Sequence, residues 1–215
     1  MKRSCAVAAM ALILPTVACG PKSPDYQSIW STTPTTTTTT TRVEKPVPLS
    51  QYLQNIGVTG QQVAPGNLPD LTVSIPTPPG WTAASNPHIA PETVMLSKGG
   101  KYPTARLVVF LLRGDFDPAQ VIQHGNDDAQ LFENFKQLDA STTPYNGFPS
   151  SMIQGSYDLD GTRLHSFNRI VIATGSPPAR QRYLVQLTIT GLANQAVEQS
   201  TDIETIMRGF VVAAK

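Results

Sequence analysis

The stretch SMIQGSYDLDGTRLHSFNRIVIAT, residues 151–174, predicts two strands joined by a tight turn. Segments 151–158 and 162–174 are rich in β-branched and aromatic residues, and Asp160-Gly161 between them is a strong hairpin signal. Arg182 to Thr190 then supplies a further strand, whose one face carries Tyr183, Val185, Leu187 and Ile189. Consecutive strands joined in this way predict an antiparallel sheet.

Three more strands are predicted upstream of this hairpin. Thr104 to Leu112 is apolar on both faces, as expected of a central strand that is covered on each side. The segment 71–75 alternates apolar and polar residues, which indicates a half-buried strand, and Glu92 to Ser97 is a shorter candidate. The proline-rich segment 76–81 must leave the sheet, because proline cannot donate to a ladder.

Helical spacing of apolar residues predicts four helices around the sheet. They cover residues 48–57, a short helix after the N-cap Asp117, residues 127–138 and residues 193–211. The third contains Leu131, Phe132, Phe135 and Leu138, and the fourth has an apolar stripe of Ala196, Val197, Ile203, Ile206, Met207 and Phe210. The fold class is therefore α+β, an antiparallel β-sheet flanked by helices in an α/β/α sandwich.

The first twenty residues predict an export signal. Lys2 and Arg3 precede an apolar run that ends in Ala18-Cys19-Gly20. A small residue directly before Cys and Gly resembles the bacterial lipobox, in which the Cys is acylated and becomes the new N-terminus, although Thr16 stands where Leu is usual. We expect residues 1–18 to be removed and Cys19 to carry acyl chains, palmitate among them. The alternatives are plain secretion and a retained membrane helix, for which the run is short of the ~20 residues a bilayer needs.

A stalk separates this signal from the folded domain. Residues 19–47 are rich in Thr and Pro, with an unbroken threonine run at 35–41, and such a segment cannot bury enough apolar surface to offset its ordering entropy. We expect a disordered stalk that holds a globular domain, residues 48–215, away from the membrane. O-mannosylation of Thr32 to Thr41 is one hypothesis for this stalk, and a bare spacer is the other.

Charge and cysteine content exclude several functions. Cleavage before Cys19 removes Lys2 and Arg3 and shifts the formal net charge from +1 to −1, so nothing in the balance favours nucleic acid as a partner. The two cysteines are Cys5, in the signal, and Cys19, so the mature domain is expected to have no disulfide and no thiol chemistry. The chain has no Gly-x-Ser-x-Gly, P-loop or Gly-x-Gly-x-x-Gly motif, and we expect neither a cofactor nor an enzyme.

Two polar clusters allow a metal or catalytic interpretation. His124 precedes Asp127, Asp128 and Glu133, which could form a weak metal or acid/base cluster, but a solvated surface is the preferred interpretation. The segment 158–161 has the spacing of the start of a calcium loop, but the remaining oxygen ligands are missing, so we predict a turn and no metal site. His88 and His165 stand alone, and His165 is expected to be an ordinary strand residue.

The domain resembles the mycobacterial LpqN/LpqT lipoprotein family, which is also the family of the proline-rich 28 kDa antigen. The resemblance rests on the lipobox and stalk and on short motifs in order: LSQYL at 49–53, PTPPGW at 76–81, GDFDPA at 114–119, NGFP at 146–149, IQGSY at 153–157 and VQL at 185–187. It implies a PsbP/Mog1-like fold and an envelope lipoprotein associated with lipid or glycolipid handling. It supplies no shared catalytic motif.

Ligand contacts are expected from apolar residues at the ends of elements. Trp81 follows a Pro-Pro-Gly loop and Phe148 lies in the NGFP motif, so both are candidate ligand-binding residues, with core packing as the alternative for each. The expected protein is non-enzymatic and is held on the extracytoplasmic side of the cell membrane by acylated Cys19. It is expected to bind a lipid or glycolipid, or to assist a membrane transporter of envelope lipids. The alternative is a surface-exposed antigen that contacts host proteins.

Overall fold

The structure, a computed structural model, describes residues 46–215. The predicted signal peptide, Cys19 and the threonine run fall outside these residues. The α-helices of this part are α1 (Leu49–Asn55), α2 (Pro118–Val121), α3 (Asp127–Gln130) and α4 (Ser200–Arg208). The strands are β1 (Thr59–Val63), β2 (Leu71–Ser74), β3 (Thr82–Ala83), β4 (Val94–Ser97), β5 (Thr104–Arg113), β6 (Lys136–Ser141), β7 (Ser150–Leu159), β8 (Thr162–Thr174), β9 (Arg182–Leu192) and β10 (Val211–Ala214).

Eight of these strands form one antiparallel sheet. Its order is β3-β4-β5-β9-β8-β7-β6, and β1 also pairs with β5. Because β9 occupies one side of β5 along almost its whole length, β4 and β1 share the other side: β4 pairs with Thr104–Leu107 and β1 with Val109–Arg113. The central position predicted for the strand at 104–112 is confirmed.

Each face of this sheet has its own apolar core, because residues alternate between the two faces along every strand. On one face, here called the α4 face, strand residues pack against α4 and against the separate two-stranded sheet of β2 and β10. Typical members are Leu107, Val171, Val185, Ile206 and Val212, all almost fully buried. On the opposite face, the α1 face, Leu112, Ile170, Ile172 and Leu184 pack against α1 and α2. The predicted α+β class, with helices on both faces of an antiparallel sheet, is confirmed.

The hairpin at 151–174 has the predicted turn. Asp160 and Gly161 have φ values of +50° and +72°, the left-handed pair that a two-residue hairpin turn requires. The paired strands β7 and β8 run without a register shift from Ser150↔Val171 to Leu159↔Thr162. The predicted N-cap of α2 is also confirmed, since the Asp117 carboxylate accepts the backbone N–H of Ala119 at 2.9 Å.

The helix predicted over 127–138 is correct only for its first four residues, and the rest of the prediction is wrong. Helix α3 ends at Gln130, Asn134 adopts φ +51°, and β6 begins at Lys136 and pairs with β7. The apolar residues that suggested a helix have other environments: Phe132 stacks on Tyr157, and Leu138 is 64% exposed. Pairing with a distant strand therefore overrides the local helical spacing.

The helix predicted over 193–211 is much shorter. Only Ser200–Arg208 is α-helical, Val197 is 90% exposed, and the chain leaves the helix to form β10. Strand β10 pairs antiparallel with β2, with Val212 opposite Val73. The second, two-stranded sheet is thus an element that periodicity did not predict. Its pairing joins segments that are far apart in the sequence.

Candidate functional site

The α1 face is covered by helices at one end only. Leu184 and Leu112 lie beneath α1 and α2, but the other end of the same strands lines a cleft of about 570 Å³. Its floor includes Thr104 and Thr190, which are directly opposite each other on β5 and β9, and Arg106 two residues further along β5. The cleft is therefore built on the ends of two central strands of the sheet.

A polar network lies on the sheet between the helix-covered end and this cleft. Asn168 Oδ1 accepts hydrogen bonds from Gln186 Nε2 and from the Thr188 hydroxyl, each at 2.9 Å. Thr188 is also the cross-strand partner of Arg106. Because these side chains satisfy one another, the face can be polar here without leaving unpaired groups.

Aromatic and aliphatic side chains form the wall and rim of the cleft. Tyr157 and Leu159, from the end of β7, both line it, and Phe132 stacks on Tyr157 with ring centroids 4.3 Å apart. Phe132 and Leu159 are 45% and 42% exposed, respectively. Tyr102 lines the cleft as well, with Lys101 Nζ 5.5 Å from its ring centroid. The cleft thus combines a polar floor with an apolar rim.

The segment 84–89 closes the cleft on the side of β4. Ala84, Ile89 and Met95 line both this cleft and a second one of about 590 Å³, which extends to Thr93. The two clefts are therefore adjacent, because residues of the segment 84–89 line both of them.

The electrostatics of the cleft centre on Arg106 and Tyr157. Burial raises the pKa of Tyr157, while the Thr190 hydroxyl and the charge of Arg106 act in the opposite direction. These three polar groups all line the cleft. The lining residues include two cations, Arg106 and Lys101, and no carboxylate.

Trp81 and Phe148, the predicted ligand contacts, lie in or against the α4-face core. Trp81 is 4% exposed, and its indole N–H donates to Asp202 Oδ2 at 3.1 Å. Lys98 Nζ contacts the same oxygen at 2.8 Å, and the hydrogen bonds from Lys98 and Trp81 lower the pKa of Asp202. Phe148 is half-buried and bonded through its backbone to Tyr145. Neither lines the cleft, and their contact with a ligand stays a prediction.

The histidine and aspartates at 124–128 fasten α1 to the domain. His124 Nδ1 lies 3.0 Å from Asp127 Oδ2, and its ring stacks on Tyr52 at 3.8 Å between centroids. Asp128 accepts the backbone N–H of Leu49 at 3.2 Å; burial, opposed by this bond, raises the pKa of Asp128. Across the part of the chain that the structure describes, no group of three His, Cys, Asp or Glu side chains is placed to hold a metal.

Sequence reasoning missed the residues that line the cleft. A signal was present in the strands, since Arg106 interrupts an otherwise apolar segment, and Thr188 and Thr190 make the end of β9 polar. The register of β5 and β9 is needed to see that Arg106, Thr188 and Thr190 lie on the same face of the sheet. Tyr102 and Tyr157 come from distant segments and join them through the fold.

Comparison with known proteins settles the family. A family model described as "Probable lipoprotein LpqN" matches residues 45–213. The chain belongs to this lipoprotein family. It is 70% identical over 210 residues to a Mycobacterium leprae protein named as lipoprotein LpqT, a match that covers 98% of this chain and 95% of the relative. It is 35% identical over 170 residues to the proline-rich 28 kDa antigen of Mycobacterium tuberculosis, covering 77% of this chain and 54% of that protein. The predicted family resemblance is confirmed.

The fold is also found in a solved member of the family. The crystal structure of Mycobacterium tuberculosis LpqN, a protein described as involved in cell envelope biogenesis, matches with a TM-score of 0.66 and 19% identity, covering 78% of this chain and 98% of that one. Structures of a Synechocystis PsbP and of yeast Mog1 match with TM-scores of 0.43 and 0.39. Among residues 46–215, no helix is both long and apolar enough to cross a bilayer.

Proposed function

We propose that this protein is a non-enzymatic cell-envelope lipoprotein, anchored through acylated Cys19 on the extracytoplasmic side of the membrane, whose domain binds a lipid or glycolipid. The bound lipid would be passed to or received from the surrounding envelope, in the manner of a helper to a membrane lipid transporter. The observation that carries the proposal is the cleft of about 570 Å³ at the uncovered end of the α1 face. Its volume falls within the ~300–1,000 Å³ range of small-molecule sites.

The chemistry of the lining favours an amphipathic ligand over a bare acyl chain. Thr104, Arg106 and Thr190 offer hydrogen bonds at the floor, where a polar headgroup would be bound. Tyr157 and Leu159 offer an apolar rim, where acyl chains would lose contact with water. Each CH₂ that is buried in this way contributes about 0.8 kcal/mol.

The test is native mass spectrometry of the protein after its extraction together with envelope lipids. We expect the wild-type protein to retain lipid and Ala84→Trp, which places a large side chain in the cleft, to retain several-fold less. Ala83→Trp is the matched control, because Ala83 is the exposed neighbouring residue and does not line either cleft. Equal retention by the two variants, or no lipid on the wild-type protein, would contradict the proposal.

A second candidate function is surface interaction with host proteins. It is favoured by the 35% identity to a protein named as an antigen. The same experiment separates the two candidates, because an interaction protein would be recovered without lipid.

A further inference from the structure

Resting on the proposed function, we infer that the ligand of the cleft carries an anionic, phosphate-bearing headgroup that is bound by Arg106 and Lys101. The first observation is the charge of the lining. Both cations line the cleft, both are exposed, and the lining contains no Asp or Glu. An anionic group that enters this recess meets two positive charges and no repulsive carboxylate.

The second observation is that no carboxylate among residues 46–215 forms an ion pair with these cations. Within residues 46–215 the ion pairs closer than 4.0 Å join Lys98 to Asp202, His124 to Asp127, Arg163 to Asp158 and Arg208 to Glu204. Arg106 and Lys101 are absent from these pairs. Their hydrogen-bonding capacity is therefore available to a ligand.

Hydroxyl side chains line the same cleft as Arg106 and could donate to an anion with several oxygens. Thr104 and Thr190 lie opposite each other on β5 and β9, and both are less than 10% exposed. Tyr157, whose side chain carries a further hydroxyl, also lines the cleft. A guanidinium fork beside several hydroxyl donors matches a phosphate group better than an uncharged sugar, which carries no charge for the arginine to bind.

Three probes separate the headgroup charge from the acyl chains. Dioctanoyl phosphatidylglycerol carries the phosphodiester, dioctanoylglycerol glucoside carries the same chains on an uncharged sugar, and glycerol 3-phosphate is the anion alone. Their affinities are measured by native mass spectrometry of the full chain released from detergent. At low ionic strength we expect the anionic lipid to bind about tenfold more tightly than the glucoside, the factor that one charge-assisted hydrogen bond supplies. Added salt should reduce this difference.

Substitutions test whether the difference in affinity between the two lipids arises in the cleft. Arg106→Gln should remove the preference for the anionic lipid and leave binding of the glucoside unchanged, and Lys101→Gln, at an exposed residue, should reduce the preference without affecting the sheet. Arg113→Gln is the matched control, since it makes the same change at an exposed position at the other end of β5. Preservation of the preference in both cleft variants would overturn the inference.

The outcomes also separate this inference from the proposed function. Equal affinity of the wild-type protein for the two lipids would overturn the anionic headgroup and leave lipid binding supported. Failure of both lipids to bind would contradict both proposals. Binding of glycerol 3-phosphate as tightly as the anionic lipid would support the phosphate site but show that free phosphate esters, not lipids, are its ligands.

Discussion

Asp70 is a buried carboxylate that connects three distant parts of the chain. It is 4% exposed; its Oδ1 accepts the Tyr183 hydroxyl at 2.6 Å and its Oδ2 accepts the Gln181 N–H at 2.9 Å. Its backbone carbonyl accepts the N–H groups of Ser176 and Lys215. The strand β2, the turn before β9 and the end of β10 are therefore joined through one residue.

This arrangement predicts how stability depends on alkaline pH. Burial, the hydrogen bond to Asp70 and the negative charge of Asp70 raise the pKa of Tyr183 above the usual 10.0. The folded state thus holds the phenol proton of Tyr183 more tightly than the unfolded chain does. The contribution of this hydrogen bond to the free energy of unfolding is therefore complete below pH 10 and is lost as the pH rises above it. We expect Tyr183→Phe to lower the free energy of unfolding by about 1–3 kcal/mol at pH 7 and to flatten its decline above pH 10, as measured by chemical unfolding across pH.

A second tyrosine provides the control for that experiment. Tyr52→Phe, on α1, also removes one phenol hydroxyl. In this variant the free energy of unfolding should decline above pH 10 as it does in the wild-type protein. If Tyr183→Phe and the wild-type protein lost stability in parallel above pH 10, the Asp70–Tyr183 bond would not be the cause.

Among the elements, the edge strand β6 depends on close contact at one glycine. A Cβ on Gly155 of β7 would lie 2.6 Å from Phe135 Cζ and 2.7 Å from the Lys136 carbonyl oxygen. We expect Gly155→Ala to lower the free energy of unfolding by about 1–3 kcal/mol and to increase hydrogen exchange in β6, because the edge strand must move away. Gly66→Ala, where a Cβ meets nothing within 4 Å, should change stability by less than about 0.5 kcal/mol. Similar effects of the two substitutions would contradict this account of the edge.

The same region shows which elements the sequence could predict. The hairpin β7–β8 was predictable because its turn and its two strands are adjacent in the chain, and α1 because its apolar spacing is that of its final structure. Strands β6 and β10 could not be predicted, because the local pattern of their residues is helical or too short to indicate a strand. Pairing of β6 with β7 and of β10 with β2 decides their conformation. The local sequence of a strand does not show which distant strand it pairs with.

At the scale of the whole molecule, the same limit applies to the cleft. The family, the α+β class and the central place of β5 could be predicted from motifs and apolar runs. The cleft could not, because it exists only where α1 and α2 stop short of the sheet end and the segment 84–89 crosses it. Prediction from residue type alone therefore selected the aromatic Trp81, which packs in the α4-face core, and passed over Arg106.

The remaining prediction concerns how the domain is held at the membrane. The domain described by residues 46–215 has an apolar core on each face of its sheet, so its stability should not depend on the anchor. Two or more acyl chains on Cys19 would give stable attachment to the membrane. We expect Cys19→Ala to move the protein from the membrane to the soluble fraction with an unchanged unfolding midpoint. Cys5→Ala, within the predicted signal, should remain membrane-bound. Retention of Cys19→Ala in the membrane fraction would show that something other than acylation of this residue holds the protein there.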